Sequence, residues 1–248
     1  MKVLTTILVL LFAAQGAMAQ HMEALIKGER EAYEAKTRYK GKRSGNNYDV
    51  TYQKLTLHLD SLAPRNRLIV GNVYSEVRAL ENNFSSLSYD LTSNMIVDSV
   101  EVNGVSASFN RVGNEVILTT EPSPEGTLIN TNVYYHGDPS KSDQRAFSYD
   151  YQRDGPIVWT LSQPYGAYGW WPCKQQLVDK IDSFDMDVHI PNGNKAAGIG
   201  VLSAVDTLAD SSLIFRWKHR HPISTYLVAV AVSNYYEESH YIPLSGGD

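Results

Sequence analysis

Imidazole, thiol and carboxylate side chains are the groups in this chain best suited to chemistry, and their spacing decides what they can do. Seven histidines are scattered through 248 residues, and His219-Arg220-His221 contains the one close pair. On a strand, residues two apart share a face, and two imidazoles there can share a metal. No further ligand lies near this pair in sequence, so the two read as ordinary surface or strand-end histidines. No H-E-x-x-H occurs, the sequence that sets two imidazoles on one helical face with a glutamate beside a metal-bound water. No G-x-S-x-G nucleophile elbow occurs either. Cys173, the sole cysteine, follows Pro172 and has no histidine close in sequence to make it a thiolate, so it reads as a small buried apolar residue. Asp179, Asp182, Asp185 and Asp187 crowd the segment after it. Asp185 and Asp187 would share a strand face, where calcium or a shared proton is conceivable, but a solvated face is the expectation. Trp170-Trp171 suits a stacking platform or the core, and core packing is the expectation. These patterns predict no catalytic residue and no metal ligand in this chain.

The elements that must position these residues follow from periodicity. Residues 22–40 are dense in Ala, Glu, Lys and Arg and predict a peripheral helix, although Gly28 weakens its apolar stripe of Leu25, Ile26 and Tyr33. A polar linker covers 40–47. From Tyr48 the period becomes two: Tyr48, Val50 and Tyr52 alternate, then Leu55, Leu57 and Leu59 alternate in the opposite phase, which predicts a β-bulge near Gln53-Lys54. Strands are predicted at 67–79, 85–91, 96–102, 105–111, 115–119, 128–135, 157–161, 184–190, 213–219 and 225–233, with 191–195 as a loop. Asn103-Gly104 supplies the positive φ angles of a type I′ hairpin, and Gly113-Asn114 does similar work one strand later. Short strands separated by turn residues predict an all-β fold, a large antiparallel sandwich or saddle-shaped double sheet.

Composition narrows the function classes. A formal net charge of −5 with no basic stripe offers no electrostatic footprint for nucleic acid. Residues 1–19 read as a secretory signal: Lys2 is the positive start, 3–14 is apolar, and Ala17-Met18-Ala19 is a cleavage site. The apolar run is shorter than the roughly 20 residues of a spanning helix. An exported protein with no transmembrane segment in its mature chain, periplasmic or extracellular, is therefore expected. With one cysteine it has no intramolecular disulfide, and its stability must come from its core.

The segment Gln163-Pro-Tyr-Gly-Ala-Tyr168-Gly-Trp170-Trp171-Pro172-Cys173 resembles the amine-binding strand of the M1 zinc aminopeptidases. Weaker matches run in the family's order from Tyr48 to about Tyr235. They include Tyr48-Asp49-Val50, Gly71-x-Val73, Tyr89-Asp90-Leu91, Val97-Asp98-Ser99-Val100-x-x-Asn103-Gly104, Tyr135-x-Gly137-x-Pro139, Asp179-Lys180 and Pro222-Ile223-x-Thr225-Tyr226-Leu227. After the signal peptide at 1–19 and the helical arm and linker at 20–47, the resemblance implies that 48–248 is the N-terminal β-domain of a metallo-aminopeptidase. It implies that Gln163 helps to hold the free α-amine of a peptide substrate, positioned nine residues before Pro172. It also implies a zinc cofactor on a separate thermolysin-like catalytic domain as partner, carrying G-x-M-E-N and H-E-x-x-H, so that this chain alone is inactive. Two positions depart from the family pattern. Tyr168 stands where an arginine is usual, and Gln175 stands where an acidic residue is usual. The alternative reading is an exported non-catalytic β-sandwich binding module. Gln163 is expected on a strand or at its exposed end, with Trp171 and Cys173 turned inward and the register broken between 164 and 169.

Overall fold

A computed structural model describes residues 26, 27, 30, 33, 34, 45–59, 62, 67–142, 144–152, 155–238 and 240. The expected signal segment lies outside the described residues, as does most of the expected helical arm, of which Ile26, Lys27, Arg30, Tyr33 and Glu34 are helical and exposed. The strands in chain order are β1 (Tyr48–His58), β2 (Ile69–Ala79), β3 (Phe84–Asp90), β4 (Met95–Val102), β5 (Val105–Ala107), β6 (Phe109–Val112), β7 (Glu115–Ser123) and β8 (Leu128–Gly137). After them come β9 (Phe147–Gln152), β10 (Gly155–Thr160), β11 (Ser183–Ile190), β12 (Lys195–Ala197), β13 (Val201–Thr207), β14 (Leu213–His219) and β15 (Ala231–Ser233). No described helix is long and apolar enough to cross a membrane.

The phase switch in β1 falls two residues earlier than its apolar pattern suggests. Pairing with β2 shifts between Val50 and Tyr52, so Thr51 is the extra residue, and its hydroxyl donates to the Glu76 carbonyl at 3.0 Å. Past the bulge the inward positions are Gln53, Leu55 and Leu57, all fully buried. Gln53, a polar residue that the pattern places outside, spends its amide N–H on Ser75 Oγ at 2.9 Å. Burying that amide is tolerable because at least one of its groups is paired.

Eight strands form the main sheet in the order β13-β14-β11-β1-β2-β8-β4-β5. The fold is all-β as expected, and within its largely antiparallel main sheet one pair is parallel, β1 with β11 from Tyr52–Ser183 to His58–His189. Parallel neighbours need a long crossover, and the chain between β1 and β11 builds most of the remaining structure. A three-stranded sheet, β3-β7-β6, and a four-stranded sheet, β12-β15-β10-β9, complete the fold. The expected single strand over 105–111 breaks at Ser108, which sends β5 and β6 into different sheets. The expected strand over 225–233 starts as a 3₁₀ turn, Thr225–Leu227, and becomes extended only at β15. Asn103 and Gly104 take φ values of 53° and 75°, the type I′ geometry.

Inward residues of all three sheets join one apolar cluster, from Tyr48 to Val232. Leu57 is fully buried at the middle of it. Leu57→Ala is expected to lower the unfolding free energy by about 2–5 kcal/mol. Urea melts followed by circular dichroism measure it, and a loss under ~0.5 kcal/mol would mean that β1 does not anchor the sheet.

Candidate functional site

The chain leaves the four-stranded sheet at Thr160, whose N–H donates to the Val230 carbonyl at 3.0 Å. Leu161 makes one last ladder contact, to the Ala146 carbonyl at 2.8 Å. The backbone then reverses over a turn closed by Gly166 N–H to the Ser162 carbonyl at 2.6 Å, and continues as the 3₁₀ turn Ala167–Gly169. Two glycines make this possible by close approach. A Cβ on Gly166 would sit 2.9 Å from the Ala146 Cβ, and one on Gly169 would sit 2.9 Å from the Ser142 hydroxyl. The expected break of register between 164 and 169 is this pair of turns.

Gln163 lies in the first turn, three residues past the end of β10 and after the strand rather than on it. Its side chain is exposed and has no hydrogen-bond partner among the described residues. The peptide bond to Pro164 is cis. Trp170, Trp171 and Cys173 are fully buried, as expected, which removes the platform reading of the tryptophans. Trp170 packs on Phe147 with ring centroids 5.8 Å apart, and Trp171 meets Phe184 of β11 edge to face at 5.7 Å. The Trp170 indole N–H donates to Ser162 Oγ at 3.0 Å and so fixes the start of the turn from beneath.

Three residues after the aromatic pair hold the segment in place, and one of them, Lys174, did not stand out in the sequence. Cys173 exchanges both backbone hydrogen bonds with Asp90, at 2.8 and 3.1 Å. Lys174 is 3% exposed, donates to the Tyr48 carbonyl and the Asp179 carboxylate, and places its ammonium 4.2 Å from the centre of the Tyr48 ring. Burial lowers the Lys174 pKa and raises that of Asp179, while their mutual attraction opposes both changes. Gln175 is fully buried and donates from its amide to the Tyr165 carbonyl at 3.0 Å. This gives its departure from an acidic residue a physical reason. A carboxylate cannot donate, and opposite a carbonyl it would place acceptor against acceptor. Tyr168 is buried in the 3₁₀ turn, and its carbonyl accepts from the Thr92 N–H at 2.9 Å.

Of the four aspartates, Asp179, Asp185 and Asp187 are in ion pairs, and Asp182 is exposed. Asp185 and Asp187 do share a face of β11, but Arg220 lies 2.5 Å from Asp185, and Lys54 and Arg216 lie 2.8 and 2.5 Å from Asp187. The expected solvated face is thus a paired one. His219 ends β14, and His221 lies just beyond it with ring centroids 6.0 Å apart. Among the described residues, no three His, Cys, Asp or Glu side chains converge, so those residues do not fit a catalytic zinc ion.

What remains at this end of the four-stranded sheet is a polar group set among apolar ones. Because β10 and β15 run antiparallel, residues 161–163 and 227–229 extend from the same end of that pair. Leu161 is 58% and Leu227 52% exposed at that end, and Gln163 is exposed as well. The backbone beneath is fixed by ladder bonds and buried rings. Chemically, the amide oxygen can accept a hydrogen bond from an ammonium group without introducing a full charge.

No family model matches the chain, and no curated protein matches it. Solved structures do. An M1 zinc metallopeptidase from Deinococcus radiodurans matches at a TM-score of 0.65 and 23% identity, over 76% of this chain and 42% of its own. A point mutant of the Deinococcus radiodurans M1 zinc metallopeptidase, bound to a Tyr-Ser-Ala substrate, matches at a TM-score of 0.65 and 22% identity, over 76% and 43%. Yeast LTA4 hydrolase in complex with bestatin matches at 0.64 and 19%, over 80% and 31%. The chain spans less than half the length of these structures. It shares their fold over the region that it covers.

The held segment makes two outcomes measurable. Cys173 is fully buried, and burial pushes its thiol well above the usual range, so an aromatic disulfide reagent is expected to label it only after denaturation. Stoichiometric labelling of the native protein within minutes would show that the segment opens. Gln175→Glu is expected to destabilise the protein at neutral pH by on the order of 3 kcal/mol. Burial raises the folded-state pKa of such a carboxyl above its unfolded value, so the penalty is present above the folded pKa and disappears as pH falls below the unfolded one. Urea melts at neutral and mildly acid pH check this, and a variant as stable as its parent at neutral pH would show that the donated hydrogen bond is dispensable.

Proposed function

We propose that this chain is the substrate-positioning portion of an exported M1-type zinc aminopeptidase, with Gln163 accepting a hydrogen bond from the α-ammonium group of a peptide. The observation that carries the reading is the placement of one exposed, unpaired amide on a turn whose backbone and underside are fixed. A contact of this kind sets the distance from the peptide N-terminus to the scissile bond, and positioning of that sort contributes to rate only if the positioning group is itself held. The fold shared with M1 zinc metallopeptidases, one of them bound to a tripeptide, supports the same reading. Export is the part of the proposal that rests on residues 1–19.

Zinc and the groups that activate water belong, on this reading, to a catalytic domain that docks at the end of the four-stranded sheet. The described residues offer no donor set for the metal, and this chain's part is to bind and orient the amine. Leu161 and Leu227 are the apolar contacts that such a domain would cover. Exposed apolar side chains beside a functional polar group are a recurrent feature of interaction surfaces.

Two experiments follow. The isolated chain is expected to retain no zinc through gel filtration and to leave aminoacyl anilides intact, and chelator-sensitive turnover by it would contradict the proposal. Adding a thermolysin-like zinc domain of this enzyme class in trans is expected to give a complex that Leu161→Asp and Leu227→Asp each weaken. Calorimetry measures it, and equal affinity for parent and both variants would remove the docking surface from the account.

A further inference from the structure

Where the chain breaks at Ser108 and passes from one sheet to another, it leaves a groove of about 640 Å³ between β5 and the C-terminal half of β7. Ser106 of β5 and Thr119 and Glu121 of β7 line it. The direction of their backbone groups follows from the two hairpins. The two-residue turn Asn103-Gly104 makes Val102–Val105 a hydrogen-bonded rung, and such rungs alternate, so Val100–Ala107 is the next one. Ser106 lies between them and turns its N–H and C=O away from β4. On β7 the turn Gly113-Asn114 sets the same alternation: Glu115 and Ile117 bond β6, while Val116 and Leu118 bond β3. Thr119 is the next to direct its N–H and C=O toward the β6 side, but β6 has ended at Phe109, the partner of Leu118. Among the described residues, neither Ser106 nor Thr119 has a strand neighbour on the side to which it points, and both are exposed.

An open strand edge is a template for a further strand. Two such edges border this one groove, and its remaining chemistry says what kind of strand fits. The groove is apolar at its base, where Ile129 belongs to the core cluster and Val102 and Ala107 pack against that cluster. Glu121 is the one charged residue of the lining, exposed and without an ion pair among the described residues. We infer that the groove accepts an extended peptide segment as an added strand on β5, with a small apolar side chain over Val102, Ala107 and Ile129 and a basic side chain near Glu121. Main-chain bonds to the open edges supply affinity, and alternate side chains supply selectivity. The segment needs no free α-amine, so the groove is independent of the contact proposed for Gln163.

A short peptide of alternating valine and lysine, acetylated at its N-terminus and labelled with fluorescein at its C-terminus, is the probe. Acetylation removes the α-ammonium group, so neither success nor failure here bears on Gln163. Fluorescence anisotropy with the full chain is expected to show saturable binding of one peptide per chain. Methylating every backbone nitrogen of the probe removes the N–H groups that would pair, and is expected to weaken binding by at least about tenfold. Ser106→Pro takes the outward N–H from β5 without touching its ladder to β4, and is expected to weaken binding likewise. Glu121→Lys is expected to weaken it by repelling the lysines. Equal affinity for the methylated and unmethylated probes would overturn the inference. So would a parent chain that shows no saturation below about 1 mM peptide, a result that needs no variant to fold. A dimer in sedimentation that Ser106→Pro dissociates would give the edge to a second copy of the chain and overturn it as well.

Discussion

The fold hinges on one short backbone bridge, the pair of hydrogen bonds exchanged by Asp90 and Cys173. Asp90 ends β3 of the three-stranded sheet, while Cys173 belongs to the segment that has just left β10 of the four-stranded sheet. Two residues before the cysteine, Trp171 packs edge to face on Phe184 of the eight-stranded sheet. All three sheets therefore meet within four residues, and the fully buried rings of Trp170 and Trp171 fill the junction. Edge-to-face and offset pairs of this kind add about 0.5–1.5 kcal/mol each beyond their burial. Lys174 extends the junction to the first residue of β1 through the Tyr48 carbonyl and ring. An unpaired ammonium in that place would be costly, and Asp179 compensates for it.

A consequence of this anchoring is that the stretch before the junction cannot bury itself. Indole, glycines and Gln175 fix the turn 162–166 from below, and its outer side chains are left facing solvent. On the proposed reading, this is how a β-domain contributes to a peptidase without carrying any of the reacting groups. It holds one amide at a set height beside a catalytic neighbour, and the buried aromatic column keeps that amide from drifting. The interior residues of 167–175 are then a support for Gln163 rather than a binding surface in their own right.

Much of this was legible in the residue order. Alternation announced the central strands, and Asn103-Gly104 announced its hairpin, because a type I′ turn needs positive φ at both positions. The three strands that alternation did not announce, β9, β12 and β13, all lie at sheet edges. Edge strands bury fewer side chains, and β13 has none fully buried, so the inward-outward signal fades there. The bulge in β1 was displaced by two residues because Gln53 is a polar residue with an internal partner, Ser75. The parallel pairing of β1 with β11 was invisible for another reason: alternation encodes which face a residue takes but not which way its neighbour runs. Around the candidate site, the inward turn of Trp171 and Cys173 was read correctly, whereas Gln163 stands in a turn three residues past the end of β10. Lys174 was overlooked, since a lysine is seldom buried and its partner Asp179 carries no signal of pairing in sequence.

The central proposal, that Gln163 binds the α-ammonium group of a peptide, is tested most directly by the kinetics of Gln163→Ala in a protein that joins this chain to a thermolysin-like zinc domain of the proposed class. A charge-assisted hydrogen bond is worth about 1.5–3 kcal/mol, so kcat/KM on a free-amine peptide should fall by roughly ten- to 150-fold, with the thermal unfolding profile unchanged. An unchanged kcat/KM would contradict the claim and leave Gln163 as a surface residue of the turn.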